Sequence, residues 1–133
     1  KVIMDSGALV SDDIMIGIVR DALKANDKSG GFILDGFPRT IAQVEALNVL
    51  FNELGFNSVR VLNLTADDSE LITRLLKRGR SDDTEETIKH RLEVYYNSTA
   101  PVKGVYDKLD VVTDVNGLGS KEDINKKILE ILE

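Results

Sequence analysis

Residues 31 to 43, Gly31-Phe32-Ile33-Leu34-Asp35-Gly36-Phe37-Pro38-Arg39-Thr40-Ile41-Ala42-Gln43, hold an apolar run that stops at a charge, a bare backbone, a rigid turn and a cation. A short apolar run closed by Asp35 reads as a buried parallel strand, and open α/β sheets bind ligands just beyond the carboxyl ends of their strands. Gly36 lets a ligand approach the backbone without a Cβ in the way, and Pro38 fixes its own φ and so aims the residue after it. Arg39 then presents a planar fork that matches a pair of phosphate oxygens. A strand, a Gly-Pro turn and a surface arginine account for the same residues without any ligand, and both readings stand at this point.

The rest of the chain alternates helical and strand patterns. Ser11-Asp12-Asp13 suits a helix start, and Met15, Ile18, Val19, Ala22 and Leu23 recur at helical spacing, giving a helix over about 12–25 that Lys28-Ser29-Gly30-Gly31 breaks. The strand of 32–35 comes next, then a helix carrying Ile41, Val44, Leu47, Leu50, Phe51 and Leu54 and stopped by Gly55. Val59 to Leu64 reads as the next strand, Asp67 or Asp68 as the start of a helix ended by Gly79, and Asp83 or Thr84 as the cap of a long helix holding Ile88, Leu92, Tyr95 and Tyr96. Pro101 kinks or restarts that helix, Leu109 to Val115 is the last strand, and Ser120 with Asp123 caps the final helix. Such alternation with short turns predicts an α/β fold in which helices flank a parallel sheet.

With 133 residues, 42% of them hydrophobic, the chain can build one core. No run approaches the ~20 apolar residues needed to cross a bilayer, so no membrane partner is expected. The absence of cysteine excludes disulfides and thiolate chemistry and fits a cytoplasmic location. A net charge of −6 argues against nucleic acid as a partner, while Arg74, Arg78, Arg80 and Arg91 concentrate positive charge locally, as a compact phosphate requires. His90, the sole histidine, lacks companions for a metal site, and Tyr95 and Tyr96 read as packing residues.

The 31–43 run resembles the signature of adenylate kinases, and the likeness extends from Lys1 to the C-terminus. Met4 to Asp12 is similar to the segment lining the AMP base pocket in that family, and Arg78-Gly79-Arg80-Ser81-Asp82-Asp83-Thr84, followed by Arg91, resembles the abbreviated lid of its short-lid members. The resemblance implies a P-loop nucleoside-kinase-like fold in a single domain over 1–133. Within it, an AMP-binding segment covers about 1–27, core 28–77, lid about 78–84 and C-terminal core 85–133. It implies phosphoryl transfer from ATP to AMP with Mg2+ as cofactor, a reaction in which protein groups position the phosphates and stabilise their charge.

On this resemblance Arg39, Arg74, Arg78, Arg80 and Arg91 are the catalytic arginines. AMP is bound by Ala8, Leu9, Val10, Gly36, Phe37, Pro38, Arg39, Gln43, Arg80 and Arg91. Arg78 and Gly119 face ATP, and Asp35 holds the metal through water. Gln43 carries both an acceptor and donors, so it can answer the Watson-Crick edge of adenine, whereas the related pyrimidine monophosphate kinases favour Asn there. Taken alone, Gln43 reads equally well as an exposed helix residue.

One part of the family pattern is absent from these residues: the loop G-x-x-x-x-G-K-[ST] that cradles the phosphates of ATP. Gly117-Leu118-Gly119-Ser120-Lys121 lacks its spacing and reads mainly as a turn and a helix cap. The expectation is therefore a family member without its first strand and loop, on the order of fifty residues or more than one βαβ element, and incompetent in transfer by itself. The strands of 32–35 and 59–64 would then pair directly with each other, or a second copy of the chain would cover their open edges as a homodimer. A non-catalytic AMP-binding module and a UMP or CMP kinase are the alternative functions.

Overall fold

Several of the helices begin at a capping hydroxyl or end at a left-handed glycine. The computed structural model describes residues 2–26 and 30–133, so Lys1 and part of the breaker expected at 28–31 lie outside the described residues. A single turn, α1 (Val2–Asp5), leads through Gly7 to α2 (Asp12–Ala25). Helix α3 (Ile41–Leu54) starts with the Thr40 hydroxyl accepting from Gln43 N and ends at Gly55, whose φ of 76° only glycine adopts at low cost. Strand β1 (Val61–Thr65) is next, then α4 (Asp68–Arg78), closed by Gly79 at φ 68°. Thr84 caps α5 (Glu85–Val94) by accepting from Thr87 N.

The helix widens into a π turn over Tyr95–Thr99 and continues as α6 (Ala100–Asp107), with Pro101, which lacks an N–H to donate, just after the π turn. Strand β2 (Val112–Asn116) and α7 (Lys121–Leu132), capped by Ser120, complete the chain.

β1 and β2 pair in parallel with Val61 opposite Val112 and Thr65 opposite Asn116, and Asn63 donates to Asp114 across the ladder at 2.6 Å. Among the described residues this two-stranded sheet is the only one. The strand expected over 32–35 is not formed, and it does not pair with β1. A strand needs a neighbour to satisfy its backbone, and neither β1 nor β2 lies alongside. Phe32 and Leu34 still pack inward, but Ile33 is 91% exposed.

Helix α3 joins two apolar clusters because it is apolar on more than one face. Leu47, Leu50 and Phe51 meet Val19, Leu23 and Phe37, with Phe32, Phe51 and Phe56 in edge or tilted ring contacts. On another face Val44 meets Val102 and Tyr106, backed by Val61 and Val112 of the sheet. The N-terminus of α3, which carries Arg39 and Gln43, is thereby fixed from two sides. No helix among the described residues is long and apolar enough to cross a membrane.

Candidate functional site

The turn after Leu34 places Arg39 over its own backbone. Gly36 has φ 74°, and Arg39 Nε donates to Gly36 O at 2.6 Å, while a Cβ at position 36 would stand 2.8 Å from Arg39 Nη2. Phe37 is buried in the first cluster, and the Phe37–Pro38 peptide is cis. Among the described residues no carboxylate pairs with the exposed Arg39 guanidinium. Asp35 is also exposed.

Gln43 is not the exposed helix residue that its position alone suggests: it is 2% exposed. Its Oε1 accepts from Arg39 N at 2.7 Å and its Nε2 donates to Asp12 Oδ1 at 2.9 Å. Thr40 Oγ1 donates to the same Asp12 oxygen at 2.8 Å. Asp12, expected at a helix start and at the end of the 4–12 segment, therefore ties α2 to the N-terminus of α3.

Residues 78–83, within the segment expected as a lid, form a second, tighter assembly with Arg91. Arg78 grips Asp83 with two hydrogen bonds of 2.8 and 2.7 Å, and Arg80 grips Asp82 with two of 3.0 and 3.1 Å. Arg91, from α5, bridges both: Nη1 donates to Asp83 at 3.0 Å and Nη2 to Asp82. The Asp83 side chain is fully buried, whereas Arg78 and Arg80 remain about half exposed.

Asp83 is held well below the usual carboxylate range, chiefly by the Arg78 hydrogen bonds acting against burial. For Asp82 burial is the largest influence and pushes upward, but Arg91, the local backbone and Arg80 together outweigh it and bring the group down. The pairing with Asp83 raises Arg78 in turn. Three guanidinium groups face two carboxylates, so the assembly keeps one excess positive charge. Each guanidinium commits two of its five donors, leaving others for an anion.

These two assemblies are linked through the long helical segment. Thr99 Oγ1 donates to Arg39 O at 2.8 Å, and Arg91 lies eight residues earlier on the same segment, about 12 Å away at 1.5 Å per residue. At Gly7 an added Cβ would be 3.2 Å from both Arg91 Cγ and Thr87 O, so the segment carrying Ala8, Leu9 and Val10 passes close to Arg91. Those three residues are half-buried.

Arg74 stands apart from the lid assembly. Its Nε donates to Glu70 at 2.6 Å and its Nη1 to Gly117 O at 2.8 Å, tying α4 to the turn after β2. Gly119 lies in that turn with φ 119°. Tyr95 and Tyr96, expected as packing residues, are 43% and 53% exposed, and Tyr96 donates to Asp68 at 2.7 Å. The two rings pack edge to face on each other, with centroids 5.3 Å apart.

The pairing of Asp82 and Asp83 with the three arginines is what sequence reasoning missed, Asp83 being expected only in the 78–84 motif and as a candidate helix cap. Their signal lies in the sequence all the same: adjacent acids between arginines, too close to remain apart once the chain turns at Gly79.

A family model described as adenylate kinase matches residues 1–111. The adenylate kinase of Kocuria rhizophila is 50% identical over 133 residues, covering 97% of this chain and 71% of its own length. That of Leptospira biflexa is 48% identical over 98% of this chain and 72% of its own. The corresponding protein of a Synechococcus strain is 44% identical over 100% of this chain and 72% of its own. With the family match and these identities, the chain belongs to the adenylate kinase family of phosphotransferases.

Proposed function

We propose that these residues supply the monophosphate site and the lid of a phosphoryl transfer from Mg-ATP to AMP. The observation that carries this reading is Arg39: an exposed guanidinium, held over Gly36 by its own Nε, with no carboxylate partner among the described residues. A fixed, unneutralised fork is an anion site, and AMP phosphate is the anion the family uses. Arg91 and Arg80 close on the same phosphate from the lid side, and Arg78 faces the ATP phosphates. Asp82 and Asp83 hold these forks in place before any ligand arrives, which is the preorganisation that transition-state stabilisation requires.

Gln43 reads adenine only by sharing or exchanging its present partners, since both polar atoms of its amide are engaged. Ala8, Leu9 and Val10 offer the base backbone and apolar contacts, and Gly36, Phe37 and Pro38 shape the turn beneath the phosphate. Gly119 lies on the ATP side, and Arg74 supports the turn that bears it through Gly117.

Among the described residues no three His, Cys, Asp or Glu side chains gather to hold a metal directly. Mg2+ keeps several waters and takes one or two carboxylates plus phosphates, and the exposed carboxylate of Asp35 is of the kind it uses. Asp35 would hold it through water, and when bound the ion neutralises phosphate charge. The ATP phosphate cradle is not encoded in the 133 residues, so transfer calls for that loop beside this site.

Calorimetry with AMP and CMP tests the proposal. Saturable AMP binding, weaker CMP binding and loss of both in Arg39→Lys support it. Absence of AMP binding, or an Arg39→Lys protein that binds as well as the parent, overturns it.

A further inference from the structure

We infer that Asp12 is a positioning residue for the monophosphate site, setting the orientation of the Gln43 amide and through it the backbone at Arg39. The inference rests on the proposed monophosphate site. Asp12 opens α2, yet Ser11, its neighbour at the cap position, makes no side-chain cap hydrogen bond, and the Asp12 carboxylate turns away from its own helix. One oxygen, Oδ1, accepts from both Thr40 Oγ1 at 2.8 Å and Gln43 Nε2 at 2.9 Å.

A primary amide can present either its oxygen or its nitrogen in a given direction, and an acceptor-only carboxylate accepts only the nitrogen. With Nε2 directed at Asp12, Oε1 has one direction left, and there it accepts from Arg39 N at 2.7 Å. The residue whose guanidinium faces the phosphate thus has its backbone fixed by an amide whose sense the Asp12 carboxylate and the Arg39 N–H hold together. Gln43 itself is 2% exposed, so its amide has little access to water in place of these two partners. The same carboxylate fixes Thr40, whose hydroxyl also accepts from Gln43 N and so caps α3. One acidic oxygen on α2 therefore holds the base-reading residue, the helix cap and the arginine backbone of α3 in one arrangement.

The test compares Asp12→Ala with Asp12→Asn in the 133-residue chain. Asparagine keeps an acceptor at the Oδ1 position while removing the charge, so it restores the amide's orientation if the hydrogen bond matters and fails to do so if only charge at the helix start matters. We expect Asp12→Ala to weaken AMP about tenfold, the size of one or two lost buried hydrogen bonds. CMP should weaken less, and Asp12→Asn should recover most of the AMP affinity. Amide hydrogen exchange supplies an arm that needs no ligand: Arg39 N–H should exchange faster in Asp12→Ala and near the parent rate in Asp12→Asn, with core amides of α3 unchanged. Equal losses in both variants, equal losses for AMP and CMP, or an unaltered Arg39 amide would overturn the inference. If the parent binds no AMP, the proposed function fails, and the Arg39 exchange rate alone still decides the role of Asp12.

Discussion

Replacing Gln43 by leucine tests whether a polar group inside the core is there for the site. The side chain is 2% exposed and engages Arg39 N at 2.7 Å and Asp12 at 2.9 Å. Leucine has nearly the same volume and adds apolar burial, but it leaves the Arg39 N–H without its acceptor, at a cost of about 1–3 kcal/mol. Asp12 is half-buried and keeps Thr40, so its loss is smaller. The net destabilisation is about 2 kcal/mol, which for 133 residues lowers Tm by about 7 °C.

Gln43→Glu separates the two bonds. It keeps an acceptor for Arg39 N but sets a carboxylate against Asp12, so the folded state raises a carboxyl pKa. That penalty is present above the raised value and disappears as pH falls and the pair takes up a proton. Thermal and urea unfolding at pH 7 and pH 5 are the assays. Gln43→Leu melting within a degree of the parent, or a Gln43→Glu protein whose deficit is the same at both pH values, would refute the reasoning.

The lid and the turn give further expected outcomes. Asp83 has a depressed pKa in the folded chain, so its stabilising contribution is complete above the unfolded carboxylate value near ~4 and is lost as pH falls through the folded value; Asp83→Asn should flatten the acid limb of the stability profile measured by circular dichroism. Gly36→Ala forces a left-handed backbone on a residue with a Cβ and crowds Arg39 Nη2, so about 1–2 kcal/mol of stability should go, with AMP affinity falling further than stability explains. Arg91→Lys retains charge but cannot reach Asp82 and Asp83 together, so lid protection by hydrogen exchange should drop around 78–84.

Local signals carried most of the fold. The bounds of α2 and α3 fall at 12–25 and 41–54 because periodicity, a capping threonine and Gly55 all act within a few residues. The segment 32–35 is different, since its apolar sequence is compatible with a strand but pairing depends on a neighbour that sequence alone does not locate. The same limit hid Asp12, whose partners lie 28 and 31 residues away, and the contact of Thr99 with Arg39, 60 residues apart. Tyr95 and Tyr96 pack on each other at the surface rather than in the core, which helical spacing alone does not distinguish. The clustering of the arginines was legible in the sequence, but not the acids that pair with them, because a carboxylate's partners depend on how the chain folds and on burial.

The most direct test tracks the arginine Nε signals of Arg39 and Arg91 by NMR as AMP is added to the 133-residue chain. A single monophosphate held between the α3 turn and the lid predicts that both signals shift together with one dissociation constant. Movement of only one, or of the two with different constants, would contradict a shared site.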